Sequence, residues 1–220
     1  MSFSNARHLS LGGKDAVRLE IDGGAVWKGL PSGYKQIDYI ETTGTQYIDT
    51  SFNPNQDTRV VCEFMWKGTG GSGNRDIYGG RQSAEKNTFW LRVVYDKWQP
   101  NYDTTLGNTE ISADTTNWHI ADQNKNFFYI DGMLGMEFEY APFQSPAPLA
   151  IGGGYATYSG GTFYPGKARY RGCQLYDNGV LVRDFIPCKD ADGEIGMYDT
   201  VNAKFHGNAG TGTFVAGEEV

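Results

Sequence analysis

Two pairs of acidic residues have spacings that could serve glycoside hydrolysis. That reaction needs two carboxylates flanking the scissile bond, about 5–5.5 Å apart for retention and about 6.5–9.5 Å for inversion. Glu20 alternates with Asp22 in one segment, and Glu137 with Glu139 in another. Ala25 stands where a Glu-x-Asp-x-x-Glu pattern needs its last acid, and no third acid follows Glu139. We interpret both pairs as solvated strand faces and predict no enzymatic activity, with a glycanase as the remote alternative.

The three histidines give no sign of nucleophilic catalysis. His8, His119 and His206 are far apart in the sequence, and no serine or cysteine nucleophile motif accompanies them. A triad assembled by the fold stays an alternative, since triads are recognised by geometry rather than by sequence position. Packing in the core or at the surface is the interpretation that we favour.

The densest local group of metal-ligand side chains lies near the end of the chain, at Asp190, Asp192, Glu194 and Asp199. It begins as Asp-x-Asp-Gly but lacks the full twelve-residue calcium-loop pattern. We interpret it as an Asp-rich turn and predict no metal or other cofactor, with bound calcium as the alternative. A structural zinc site is disfavoured because the sequence contains no Cys-x-x-Cys pair.

Aromatic residues near polar side chains carry the clearest functional signal. Apolar faces of sugar rings stack on Trp and Tyr, while planar polar groups hydrogen-bond the hydroxyls. The stretches 96–103 and 153–166 combine such residues with loop-like composition. They predict a ligand site formed by Arg81, Arg92, Trp98, Gln99, Tyr102, Tyr155, Tyr158 and Tyr164. The alternative is that these aromatic residues pack in the core or contact another protein.

Charge and hydropathy disfavour nucleic acid and membrane as partners. The chain has 19 Lys and Arg against 26 Asp and Glu, a formal net charge of -7, and no basic stripe. No run approaches the roughly 20 apolar residues of a membrane-spanning helix. Polar residues interrupt residues 1–14, so we predict no signal peptide and synthesis in the cytoplasm.

The cysteines are odd in number: Cys62, Cys173 and Cys188. Asn178 and Gly179 predict a two-residue hairpin turn. This turn sets a register that places Cys173 opposite Asp184 rather than opposite Cys188. We therefore predict three free thiols and a reducing site of synthesis.

The elements that must position these residues are strands. Apolar residues alternate with a period of two, and no stretch shows a sustained helical stripe. The segment Thr58–Trp66 has apolar residues on both faces, which predicts a central strand. Strand signals recur about every 8–12 residues, and roughly a dozen short strands are expected to form two packed sheets. The sequence therefore predicts an all-β, two-sheet antiparallel sandwich.

Residues 1–29 look like a separate arm. An apolar alternation, an Asp-Gly-Gly turn and a short return strand predict a small hairpin. A lone hairpin is marginal in water, so we expect the arm to anchor on another protein or on a neighbouring copy. The residues expected to make this contact are Val17, Leu19, Ile21, Val26 and Trp27. Residues 30–220 form the main domain.

Three stretches resemble one group of proteins. They are LPSGYKQIDYIETTGTQYIDT (30–50), FFYIDGMLGMEF followed by PLAIGGGY (127–155), and the closing segment GCQLYDNG…GTGTF (172–214). All three are similar to the concanavalin A-like (LamG-like) jelly-roll domains of phage and prophage structural proteins from Gram-positive bacteria. The resemblance covers about residues 30–217, and the closing segment is its most specific part.

This resemblance implies a jelly roll in a virion component, such as a tail, fibre, baseplate or head-decoration protein. Fold alone does not choose between sugar binding, catalysis and protein binding. We expect a homo-oligomer in the virion, with other virion proteins as partners and a host-surface glycan as ligand. The alternative is a purely structural module with protein partners only.

Overall fold

The computed structural model describes residues 29–68, 75–158 and 161–220, which form two β-sheets packed face to face. The prediction of an all-β, two-sheet sandwich is confirmed, and the arrangement is consistent with a jelly roll. The predictions for the arm, for His8 and for the Glu20–Asp22 pair lie outside the described residues. No helix within these three ranges is long and apolar enough to cross a membrane.

The described residues contain nineteen strands, several of them only two residues long. In chain order they are β1 (Lys35–Gln36), β2 (Ile40–Glu41), β3 (Ile48–Asp49), β4 (Thr58–Trp66), β5 (Asp76–Arg81), β6 (Thr88–Val94), β7 (Lys97–Asp103), β8 (Thr105–Leu106), β9 (His119–Asn124), β10 (Phe127–Ile130), β11 (Met133–Glu137), β12 (Ala150–Ile151), β13 (Gly153–Ala156), β14 (Thr162–Pro165), β15 (Ala168–Asp177), β16 (Val180–Lys189), β17 (Ile195–Asp199), β18 (Lys204–His206) and β19 (Val215–Ala216).

The first sheet is built around β4. Its strand order is β11-β10-β9-β4-β15-β16-β17-β18, with β1, β2 and β19 added at the side. The central position expected for Thr58–Trp66 is confirmed, since β4 pairs with β9 on one side and with β15 on the other. Val60, Cys62 and Phe64 are fully buried against the second sheet.

The second sheet has the order β14-β13-β5-β6-β7-β8, and β3 and β12 extend it. Its pairs are antiparallel except that β13 runs parallel to β5. In β6, Phe89, Leu91 and Val93 point into the core between the sheets. Side chains alternate along a strand, so Trp90 and Arg92 lie on the opposite face, which we call the outer face.

Buried tyrosine hydroxyls connect the two sheets through the core. Tyr170 on β15 donates a hydrogen bond to the Ile77 carbonyl on β5 at 2.8 Å. Tyr78 on β5 donates to Gln123 Oε1 on β9 at 3.2 Å. Both rings are fully buried, so each contributes apolar area while its polar atom keeps a partner.

The hairpin of β15 and β16 has the predicted turn but not the predicted register beyond it. Asn178 and Gly179 take positive φ values of 46° and 82°, as such a turn requires. A bulge between Leu175 and Tyr176 then shifts the pairing by one residue. The placement of Cys173 opposite Asp184 is therefore wrong.

The shifted register places Cys173 opposite Phe185 on β16, and on its other side opposite Cys62 of β4. All three cysteines are buried and carry free thiols. Burial raises the pKa of Cys62, which keeps that thiol protonated and unreactive.

Candidate functional site

Polar and aromatic side chains gather around Trp90 on the outer face of the second sheet. We call Asp76, Arg81, Trp90, Asn101 and Tyr164 the outer-face cluster. The Trp90 indole lies directly over two glycines of neighbouring strands, Gly79 on β5 and Gly154 on β13. A Cβ at either glycine would overlap the indole ring. The absence of side chains at these two glycines therefore lets a large ring lie flat against the sheet.

Asp76 anchors the Trp90 ring from the first residue of β5. Its Oδ1 accepts a hydrogen bond from Trp90 Nε1 at 2.7 Å, and only 6% of the residue is exposed. Burial raises the pKa of Asp76 to about 6, although the Trp90 hydrogen bond and nearby guanidinium groups of Arg92, Arg75 and Arg81 oppose the shift. The cluster thus combines one buried carboxyl group with three nearby arginines.

Arg81 is buried without a full set of partners. Its Cζ lies 4.1 Å from the Trp90 ring centroid and 4.7 Å from that of Tyr164, so the guanidinium packs against both rings. Only 4% of the residue is exposed, and Nε and Nη1 have no hydrogen-bond partner among the described residues. Leaving buried charged donors unpaired lowers the stability of the fold. A hydrogen-bond acceptor at this position would remove that cost.

Asn101 adds a second set of unsatisfied polar atoms to the same face. It lies opposite Trp90 in the β6–β7 pair and is fully buried. Neither its Oδ1 nor its Nδ2 has a hydrogen-bond partner within the described ranges. Buried polar side chains are nearly always paired, so Arg81 and Asn101 together indicate a place where a polar ligand completes the hydrogen bonding.

The rim of the cluster is hydrogen-bonded and partly open to solvent. Arg92 Nε donates to Gln99 Oε1 at 2.6 Å, and Gln99 Nε2 donates to Asn108 Oδ1 at 2.8 Å. The Tyr158 hydroxyl contacts the Tyr164 hydroxyl, and 39% of Tyr158 is exposed. These groups are held in place beside the buried centre and offer ring surface and donors to an approaching molecule.

Five of the eight residues predicted for the ligand site come together here. They are Arg81, Arg92, Gln99, Tyr158 and Tyr164. The first three lie on β5, β6 and β7, while Tyr164 lies on β14 and Tyr158 follows β13.

The other three predicted residues do not join the cluster. The expectation that 96–103 is a loop is wrong, because β7 runs from Lys97 to Asp103. Trp98 and Tyr102 occupy its core-facing positions with at most 1% exposure. Tyr155 lies on β13, and its side chain is on the opposite face of the sheet from Trp90. Its cross-strand neighbour Phe163 stacks on Tyr47 with ring centroids 4.4 Å apart.

Sequence reasoning missed Asp76, Trp90 and Asn101. The alternation of apolar residues in β6 could have indicated Trp90, because it shares a face with the charged Arg92. No comparable signal marked Asp76 or Asn101, since neither belongs to a motif and only the sheet register brings them beside Trp90.

A second polar group surrounds His119 at the start of β9. His119 Nδ1 lies 2.8 Å from Asp131 Oδ2, and Nε2 lies 3.4 Å from Asp114 Oδ2. Asp131 also accepts the Ile120 amide at 2.8 Å, which ties the β10–β11 turn to β9. The Asp131 hydrogen bond raises the pKa of His119. In the described part of the chain no serine or cysteine nucleophile is hydrogen-bonded to His119 Nε2, as a catalytic triad would require. We therefore interpret His119 and its two aspartates as a structural ion pair.

We expect Asp131→Asn to destabilise the protein in a pH-dependent way. The raised pKa of His119 gives stabilisation that is present below about 6.5 and is lost as pH rises through the folded-state value. The lowered pKa of Asp131 gives stabilisation that is lost in acid, below about 3.8. The drop in melting temperature should therefore be largest near pH 5.5 and smaller at pH 8.5. An equal drop at both values would contradict the ion pair.

The acidic segment near the end of the chain forms a turn. Asp190 Oδ1 accepts the amides of Asp192 at 3.0 Å and Glu194 at 2.8 Å. Asp199 is fully buried and accepts the Asp184 amide at 3.1 Å. Its Oδ1 therefore binds backbone amides, while its Oδ2 accepts a hydrogen bond from Asn202 Nδ2 at 2.7 Å. Across the described ranges, no group of three or more His, Cys, Asp and Glu side chains could hold a metal ion.

Comparisons with known proteins do not assign this chain. No protein-family model matches it, and no curated protein matches it either. The geometry of the outer-face cluster therefore carries the functional interpretation.

Proposed function

We propose that this chain is a phage virion structural protein whose sandwich domain binds a host-surface glycan through the outer-face cluster. Tail, fibre, baseplate and head decoration are the locations in the virion that the resemblance suggests. The domain binds its ligand without cleaving it, because Glu137 and Glu139 lie exposed at the edge of the first sheet, away from the outer-face cluster on the second sheet.

One observation supports this proposal above the others. Arg81 packs on the Trp90 ring, Asn101 lies opposite Trp90 in the β6–β7 pair, and both buried side chains keep unpaired polar atoms. A solely structural face would gain stability from apolar residues at these positions. Aromatic rings beside unsatisfied planar donors form the combination that holds a sugar ring and its hydroxyls.

Tyr164→Ala should weaken glycan binding by at least about tenfold, because it removes a ring that packs on both Arg81 and Trp90. The measurement is binding of the purified chain to an array of bacterial cell-wall glycans. Tyr39→Ala is the matched control, since Tyr39 also packs on an arginine, Arg169, but on the first sheet. Failure of the wild-type chain to bind any glycan or intact cell wall would refute the proposal.

A purely structural module with protein partners is the second candidate, and one observation favours it. The edge strand β11 exposes Met133 and Leu134, each at 54%, and Ile120 nearby is 44% exposed. An edge strand with apolar side chains is suited to pairing with another chain. If the chain joins virions but binds no glycan, this second function is the correct one.

A further inference from the structure

The arginines within the described ranges differ in their partners. On the first sheet, Arg59, Arg169, Arg171 and Arg183 each pair with a carboxylate, at distances from 2.5 to 3.6 Å. Arg81 on the second sheet has no such pair among the described residues, although the chain carries an excess of acidic side chains. Arg81 therefore has no carboxylate within ion-pair distance in the described part of the domain.

The neighbours of Arg81 supply only part of a counter-charge. Asp76 is the acidic member of the cluster, and its Oδ1 is already bonded to Trp90 Nε1. Arg75 and Arg92 lie close enough to influence Asp76 electrostatically, so three guanidinium groups share one buried carboxyl group. Together with Arg75 and Arg92, the cluster therefore has an excess of positive charge, in contrast to the net charge of -7 of the whole chain.

We propose that the outer-face cluster binds an anionic group, a carboxylate or phosphate, carried by a polyhydroxylated polymer. Arg81 is the charged contact, Asn101 donates to and accepts from the ligand, and the Tyr158 and Tyr164 rings contact its apolar faces. This inference rests on the proposed function, because it specifies the ligand class of the same site. The hydroxyl contact between Tyr158 and Tyr164 must open to admit the anionic group, since Arg81 is 4% exposed.

Calorimetric titration of the full chain with three probes tests this inference. The probes are an oligogalacturonate, which carries carboxylates, a poly(glycerol phosphate), which carries phosphates, and a neutral galactose oligomer of matched length. We expect one anionic probe to bind at least about tenfold more tightly than the neutral oligomer. Its affinity should fall as salt rises from about 20 to about 300 mM. The preference between the two anionic probes identifies the source of the charge.

Arg81→Met should reduce the affinity for the anionic probe by at least about tenfold. Arg171→Met is the matched control, because Arg171 also stacks on a tryptophan, with Cζ 3.9 Å from the Trp118 centroid, but pairs with Asp38. Circular dichroism checks that each variant folds. If Arg81→Met does not fold, Arg81→Lys takes its place, and a partial loss of affinity is expected because the charge is kept without the planar stack.

The outcomes separate this inference from the proposed function. Equal affinity for neutral and acidic probes would overturn the anionic ligand and leave glycan binding intact. Binding only to other neutral sugars on the glycan array would do the same. Anionic binding that is unchanged in Arg81→Met and Arg81→Lys would overturn the assignment of this site. Absence of binding to every probe and to the array would overturn both proposals.

Discussion

Trp90→Ala is expected to lower the free energy of unfolding by about 3–5 kcal/mol, the range for deleting a buried aromatic side chain. Trp90 is fully buried although it lies on the outer face, because Arg81 and Tyr164 cover it. Its removal also leaves Asp76 Oδ1 without its donor. Urea denaturation at neutral pH measures the loss. Trp118→Ala is the control, since Trp118 is only half-buried and should cost about 1 kcal/mol.

A double-mutant cycle with Gly154 tests the same packing in the opposite direction. In the wild-type background, Gly154→Ala places a methyl group inside the Trp90 indole, so the variant should be destabilised by about 1–3 kcal/mol. In the Trp90→Ala background the methyl group has room, and the cost should nearly disappear. A cost that is the same in both backgrounds would show that the indole does not rest on Gly154.

Much of the fold follows from the period-two burial pattern of single strands. In Thr58–Trp66 the buried face and the central position were both readable from the sequence, as was the Asn178–Gly179 turn. The pattern does not reveal local insertions. The bulge between Leu175 and Tyr176 has no marker such as glycine, so the register of the strands beyond it could not be predicted.

The candidate site was harder to predict because it depends on which face of each strand meets the core. Pro100 and several polar residues made the segment around Trp98 look like a loop. In fact its aromatic residues take the core-facing positions of β7, while Gln99 and Asn101 face outward. Composition could find the polar and aromatic residues, but only pairing between distant strands shows which of them meet.

Asp76→Asn should stabilise the protein by about 2–3 kcal/mol at pH 8 and have little effect near pH 3.5. Burial raises the pKa of Asp76 from 3.8 to about 6, so the folded state favours the neutral carboxyl group. The ionised form therefore costs stability, beginning as pH rises above about 3.8 and reaching its full value above about 6. A difference of about two pKa units corresponds to about 3 kcal/mol. Asparagine is neutral throughout and can still accept the Trp90 hydrogen bond.

Denaturation curves at pH 3.5 and 8 for Asp76→Asn and for Asp57→Asn make this test decisive, because the two variants should behave in opposite ways. A hydrogen bond from Lys125 lowers the pKa of Asp57, so its ionised form stabilises the fold and Asp57→Asn should lose stability at pH 8. Loss of stability at pH 8 in Asp76→Asn as well would mean that the three arginines need this carboxylate.

If Asp76→Asn is instead more stable than the wild type, we expect this variant to bind anions more tightly, because Arg75, Arg81 and Arg92 then face no internal negative charge. The Asp76 carboxylate would then lower the stability of the fold and also lower the affinity of the site for anions.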